Sequence, residues 1–207
     1  VGFKMNIFNI GVEGQYRMAA IFAAYVGGAV ALPTVLHIGL ILIVAMAVGG
    51  AWAGVAGALN TERGVNIVIS TIMLNGIALG IIAWLVRSWQ AEGEISVVGV
   101  GTEEIDDSGL IPNLNFIPEL FGDIRSEELT GVLVIAIIIG AAYHVLLNRT
   151  VFGYDLRSSG LNPLAARAGG VPPKRMVIIA MLMSGGVGGL VGIAEIMDKG
   201  RYDPNFV

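Results

Sequence analysis

Apolar residues along this chain gather into runs of bilayer length, separated by short polar turns and by two long polar segments. A helix that crosses a bilayer needs about 20 mainly apolar residues. Residues 35–59, 65–86, 129–147 and 176–197 each meet that requirement. Residues 18–32 form a further apolar run that ends at Pro33 and, with part of the preceding stretch, predicts a fifth span. Residues 2–17, GFKMNIFNIGVEGQYR, mix apolar positions with Glu13, Gln15 and Arg17, so periodicity leaves their depth open. The expected fold is an all-α polytopic bundle of about five spans, read as a single transmembrane domain over residues 1–207.

Composition removes the soluble alternatives. Hydrophobic residues make up 55% of the chain and charged residues 14%, with a mean hydropathy of +0.78. Ordinary soluble domains carry about 25% charged residues. There is no cysteine, so neither a disulfide framework nor a thiolate metal site can form. His37 and His144 lie far apart without a second ligand at metal spacing, which makes each a packed or interfacial side chain. The chain starts at Val1, no signal-type segment precedes its first apolar run, and the expectation is part of a longer protein with spans missing at both ends.

Charge distinguishes the two long polar segments. Residues 88–128 hold ten acids and one base, Arg125, whereas residues 149–175 hold five bases (Arg149, Arg157, Arg167, Lys174, Arg175) and one acid, Asp155. Basic loops remain in the cytoplasm. The 149–175 loop and the turn at Arg63 are therefore expected inside, and the acidic 88–128 loop outside. Small residues four apart, such as Gly50/Gly54, Ala53/Gly57, Gly54/Ala58, Gly185/Gly189 and Gly188/Gly192, predict close helix packing in lipid.

Within the basic segment, NPLAARA (residues 162–168) has helix-forming composition, with Asn162 suited to capping and Pro163 to the first helical position. Gly169-Gly170 and Pro172-Pro173 end it. A short helix laid across the ends of two spans is a surface offered to a partner. Asn9, Glu13 and Gln15 lie in a glycine-interrupted run and Asn75 lies well inside a span, where polar groups suggest function. Interhelical hydrogen bonding explains the same residues without a substrate.

Three stretches resemble one family. FNIGVEGQ (residues 8–15), GVNIVISTIMLN (64–75) and GYDLRSSGLNPLAARAGGV (153–171) are similar to permease subunits of ABC importers for nucleosides and simple sugars, relatives of the ribose and branched-chain amino-acid permeases. They match N-I-G-x-E-G-Q, I-S-T-x-M-L-N and, at all but one specified position, G-x-x-L-R-x-x-G-x-N-P-x-A-A-R-x-A-G. The departure is Gly169 for Ala; Ser158-Ser159 also replace a common Ala-Val pair, and Gly76 a common aromatic.

The resemblance implies a non-catalytic transport subunit in a prokaryotic cytoplasmic (inner) membrane, binding no cofactor itself and no nucleic acid. ATP would be used by a cytoplasmic ABC ATPase partner. A second permease subunit would share the path, and an extracytoplasmic substrate-binding lipoprotein would deliver solute. Arg157, Gly160, Asn162, Pro163, Ala165, Ala166, Arg167 and Gly170 are then the expected ATPase-coupling residues, the arginines suited to bidentate carboxylate pairing or serving only topology and lipid headgroups. Asn9, Glu13, Gln15 and Asn75 are the expected substrate-pathway residues. The rival readings are an ion-coupled transporter or channel, which calls for charges within the spans where only Glu195 stands near one, and an intramembrane enzyme, which calls for a nucleophile–base or two-metal site.

Overall fold

The computed structural model describes residues 2–89, 102–112 and 131–202, and the described residues fold as helices. In chain order these are α1 (Val12–Ala29), α2 (Thr34–Arg63), α3 (Ile67–Ser88), α4 (Val132–Arg149), α5 (Val151–Leu161), α6 (Pro163–Ala168), α7 (Pro173–Gly189) and α8 (Ile193–Lys199). A single 3-10 turn, Gly2–Met5, precedes α1. Among the described residues, four candidate spans have the length and apolar composition to cross a membrane: α2, α3, α4, and the stretch Pro173–Lys199 that contains α7 and α8. This is a multi-pass membrane protein.

The remaining expected span, 18–32, differs from the other four. Its helix starts earlier, at Val12, so a polar first turn and a half precede the apolar part. Ala19, Ala20, Ile21, Ala23 and Ala24 are fully buried, because α1 runs through the centre of the bundle against α2, α3, α7 and α8. Alanine and glycine dominate it because neighbours enclose it and leave little room for side chains.

Three further boundaries depart from the expectation. Helix α2 continues through Asn60–Arg63, which the sequence reading treated as a turn. The stop is instead Gly64, left-handed at φ 70°, whose N–H closes on Asn60 O. The apolar run 176–197 is two helices, with turns at 190–192 separating α7 from α8. Finally, residues 151–161 of the basic segment form a helix of their own, capped by Thr150, whose Oγ1 accepts from Gly153 N–H at 3.2 Å.

Helices α2 and α7 meet along a seam without side chains. A Cβ on Gly49 would stand 2.5 Å from Gly185 O, and one on Gly50 would stand 2.9 Å from Leu182 O. These glycines pack backbone on backbone rather than acting as hinges. The seam runs near mid-height, since Gly49 lies halfway along a 30-residue helix, about 22 Å from either end at 1.5 Å per residue.

The two ends differ in composition. One gathers Gly2–Met5, the α2–α3 turn and α5–α6; there Asn6 Nδ2 donates to Gly160 O at 3.2 Å. The other gathers residues 102–112, the α1–α2 turn and the exit of α8. His37 is fully buried there, with Nδ1 2.8 Å from Ser108 Oγ and Nε2 2.9 Å from Gly27 O, and is thus a packed side chain. The described part of the acidic loop is pinned rather than simply solvated: Ile105 N–H donates to Gly200 O at 2.8 Å and Thr102 N–H to Tyr202 O at 3.0 Å. The rest of that loop, including most of IPNLNFIPELF, lies outside the described residues.

Gly49→Ala should therefore lower the thermal midpoint of the purified chain in detergent, since overpacking costs roughly 1–3 kcal/mol. Gly76, whose Cβ would meet open space, should tolerate alanine and gain up to about 1 kcal/mol of helix propensity. Equal midpoints for the two variants, followed by circular dichroism, would remove the seam from the account.

Candidate functional site

Helix α1 begins inside the bundle. The chain ascends from Gly2–Met5 in extended and turn conformations, and the helix starts at Val12 beside α7, where Gln15 lies against Gly188. Glycines at 11 and 14 make this start possible. A Cβ on Gly11 would stand 2.9 Å from Thr71 Cβ, and one on Gly14 would stand 2.8 Å from Asn75 Oδ1. A helix start leaves backbone N–H groups without intrahelical acceptors, and lipid offers none. Side chains supply them here. Asn75 Oδ1 accepts from Gly14 N–H at 2.9 Å while its Nδ2 donates to Ile10 O at 3.2 Å. Asn9 Oδ1 accepts from Gly11 N–H at 3.1 Å, and Thr71 Oγ1 accepts from Ile10 N–H at 3.4 Å.

Asn9 and Gln15 form a reciprocal amide pair. Asn9 Nδ2 donates to Gln15 Oε1 at 3.0 Å, and Gln15 Nε2 donates back to Asn9 Oδ1 at 2.9 Å. Asn9 Nδ2 also reaches Ser184 Oγ on α7 at 3.2 Å. The structure thus brings Asn9, Gln15 and Asn75 into one uncharged polar node at mid-height and joins Thr71 and Ser184 to them. Glu13 is not part of it. Its carboxylate is 54% exposed and pairs with Arg17 at 3.1 Å, one helical turn on.

Ser184 went unnoticed in the sequence because a lone serine in a glycine run carries no signal. It also lines a cavity of about 520 Å³ between α4 and α7, whose other walls include Leu42, Val132, Ile139, Tyr143 and Val187. Of the residues of α4 only Leu147 is buried. The node and this largely apolar cavity therefore share a wall. Among the described residues, no cluster of three or more His, Asp or Glu side chains is placed to hold a metal.

At the basic end, α6 forms as its composition predicts. Asn162 Oδ1 accepts from Leu164 N–H at 3.1 Å and from Ala165 N–H at 3.0 Å, Pro163 takes the first helical position, and the helix stops at Gly169. Gly170 follows with φ 86°. Ala166 is the buried contact of α6, whereas Ala165 and Arg167 face outward. Leu161 and Leu164, at 83% and 80% exposure, flank them and extend the outward surface as an apolar one. Arg157 points back instead, with Nη1 3.4 Å from Asn148 Oδ1 on α4. Gly160 is where the Gly2–Met5 turn crosses α5.

A family model described as the branched-chain amino acid transport system / permease component matches residues 2–207. The chain belongs to this family. It is 30% identical over 206 residues to the guanosine ABC transporter permease protein NupP of Bacillus subtilis, covering 97% of this chain and 55% of that one. It is 30% identical over 210 residues to the glucose ABC transporter permease protein TsgB13 of Haloferax volcanii, covering 98% and 53%. It is 28% identical over 196 residues to the nucleoside ABC transporter permease protein NupB of Lactococcus lactis, covering 93% and 52%. The chain thus spans about half the length of these curated relatives. No solved structure matches it.

In this permease-family chain, Asn75 is the side chain on which the start of α1 most depends, because it serves one backbone donor and one backbone acceptor. Asn75→Leu should destabilise the chain by roughly 1–3 kcal/mol, the penalty of leaving buried polar groups unpaired. Asn75→Asp keeps the acceptor for Gly14 N–H and, as the neutral acid, a hydroxyl donor for Ile10 O, so it should cost less. Thermal unfolding in detergent checks the ranking; an Asn75→Leu chain as stable as the parent would show that the helix start is satisfied elsewhere.

Proposed function

We propose that this chain is the membrane-embedded permease part of an ATP-driven importer for an uncharged, hydrogen-bonding solute, a nucleoside or a simple sugar. One observation carries the reading: an interrupted helix start at mid-height, ringed by amide and hydroxyl side chains without a net charge. Transporters place solutes at such breaks, where side chains and backbone groups at the helix end exchange partners with the cargo. Amides and hydroxyls both donate and accept, which suits a neutral solute rich in hydroxyl or amide groups. Asn9, Gln15, Asn75 and Ser184 form the path, and Glu13 holds Arg17 beside it. The relatives' names, two for nucleosides and one for glucose, support the same solute class.

The chain binds no nucleotide in this reading. ATP is hydrolysed by a separate cytoplasmic subunit that docks on α6, with Leu161, Leu164 and Arg167 as its outward surface and with Asn162, Pro163 and Gly170 setting that helix's ends. Arg157 acts from behind, fixing α5 against α4. A second permease subunit and an extracytoplasmic binding lipoprotein complete the importer. The basic end then faces the cytoplasm of a prokaryotic inner membrane, and residues 102–112 face outside.

Uptake of radiolabelled guanosine in cells carrying the complete importer tests both surfaces together. Gln15→Ala should lower uptake about tenfold with ATPase binding retained, because the mid-height pair is broken. Arg167→Glu should leave the chain inserted and lower uptake by weakening the ATPase contact. Wild-type uptake with Gln15→Ala would assign the node to packing, and wild-type uptake with Arg167→Glu would assign that arginine to lipid headgroups.

A further inference from the structure

The outward side of the α1 start carries charge at a level where the exposed surface is otherwise apolar. Glu13 and Arg17, one turn apart, pair at 3.1 Å, and their side chains are 54% and 22% exposed. Their depth follows from their neighbours. Gly14 N–H donates to Asn75 Oδ1 near the middle of α3, and Gly189 lies against both Ala19 and Ala45, the latter near the middle of α2. Both charges therefore lie at mid-height. Exposed side chains at that level on the neighbouring helices, Met46, Met73 and Ile77 among them, are apolar.

A carboxylate facing hydrocarbon is costly, and charged groups at membrane depth face a bundle interior or a water-filled cavity. The segment that leads into α1 makes the same demand. Residues 7–10 are not helical, Phe8 and Ile10 are exposed, and the backbone N–H groups of Phe8 and Asn9 donate to no described residue. Non-helical backbone survives at that depth only against protein or water. Two independent features, one electrostatic and one conformational, thus turn this side away from lipid.

We infer that this side lines a water-filled part of the solute path, and that Glu13 is a hydrogen-bond acceptor for the cargo. A carboxylate offers about four acceptor sites. Arg17 Nη2 meets Oε1, and no second described residue pairs with or donates to Glu13. The remaining capacity suits an uncharged solute with adjacent O–H or N–H donors, such as the hydroxyl pair of a ribose. Arg17 holds the carboxylate in place and keeps the site neutral overall. Asn75, half-buried and bonded to Gly14, joins this side to the mid-height node, whereas Gln15, two positions on from Glu13, looks to the other side of α1. Choosing a nucleoside as the cargo rests on the transport reading above; the placement against water does not.

Thiol modification and guanosine uptake, both in the complete importer reconstituted in liposomes, test the two halves of the inference. Glu13→Cys, followed on this chain, which has no native cysteine, should react with a water-soluble sulfonate reagent. It should react several-fold slower with a cationic reagent of similar size, since Arg17 then lacks its carboxylate. An unreactive cysteine means that lipid or another protein segment covers this side, and overturns the inference. An ion pair that only holds the fold survives exchange of its ends. Glu13→Arg combined with Arg17→Glu should therefore keep its thermal midpoint within a few degrees of the parent, yet lower uptake at subsaturating guanosine roughly tenfold. Glu13→Gln, which keeps an amide oxygen for Arg17, should lower uptake about fivefold, the difference between a charge-assisted and a neutral hydrogen bond, and it decides the matter if the exchanged pair fails to insert. Parental uptake in either variant assigns the pair to structure and overturns the inference while leaving the transport reading intact. A parent importer that takes up no guanosine overturns the nucleoside reading, and the modification rates still decide whether this side is wet.

Discussion

The fold depends on how a helix can begin in the middle of a membrane bundle. Backbone N–H groups at the start of α1 have no acceptor within their own helix, and lipid offers none. Asn75 supplies both an acceptor and a donor across from α3, at 2.9 Å and 3.2 Å, and Asn9 turns back on Gly11. With those contacts made, α1 can be short, alanine-rich and enclosed, and α2, α3 and α7 can pack around it. The same contacts put hydrogen-bonding groups at mid-height without any charge. A charge at that depth would call for a partner or a water-filled path, and the nearby carboxylate, Glu13, has Arg17 at 3.1 Å.

The basic end is linked mechanically to this node. Helix α7 leaves the 149–175 segment at Pro173 and reaches Ser184 eleven residues later, a rise of about 16 Å. From Ile178 to Gly189 it packs closely against α2, with Gly57 facing Ile178 Cα, Gly50 facing Leu182 O and Gly49 facing Gly185 O. Such a contact cannot be adjusted by rotamer changes, so displacement of the α6–α7 connection moves α7 as a body. The Asn9–Ser184 hydrogen bond at 3.2 Å is where that movement meets the segment leading into α1. In the proposed function, a docking event at α6 would reach the polar node through this single element.

Much of this was legible in the residues themselves. Apolar run length located α2, α3 and α4, and the Asn162-Pro163 start with the Gly169-Gly170 stop placed α6 to the residue, because capping chemistry is local. The glycine pairs anticipated the α2–α7 seam, although Gly49, which faces Gly185 across it, was not among them. Other features depend on residues distant in sequence and left no local sign. Ser184 is separated from Asn9 by 175 residues, and its partner is set by the packing of α1 on α7. Helix α5 escaped notice because Asp155, Arg157, Ser158, Ser159 and two glycines resemble a loop until Thr150 caps it and Gly153 tucks against the end of α4. Glu13 illustrates the opposite case. Its carboxylate pairs with Arg17, an i,i+4 partner that the sequence spacing alone makes visible.

Water access at Ser184 tests the central claim, that the mid-height node is a solute path rather than packing alone. The chain contains no native cysteine, so Ser184→Cys can be followed by its modification rate with a small water-soluble thiol reagent in the assembled, transport-competent importer. The account predicts measurable modification, slowed several-fold when guanosine, supplied with its binding protein and ATP, is being moved. An unreactive Ser184→Cys in every state, or a rate indifferent to guanosine while uptake proceeds, would contradict it.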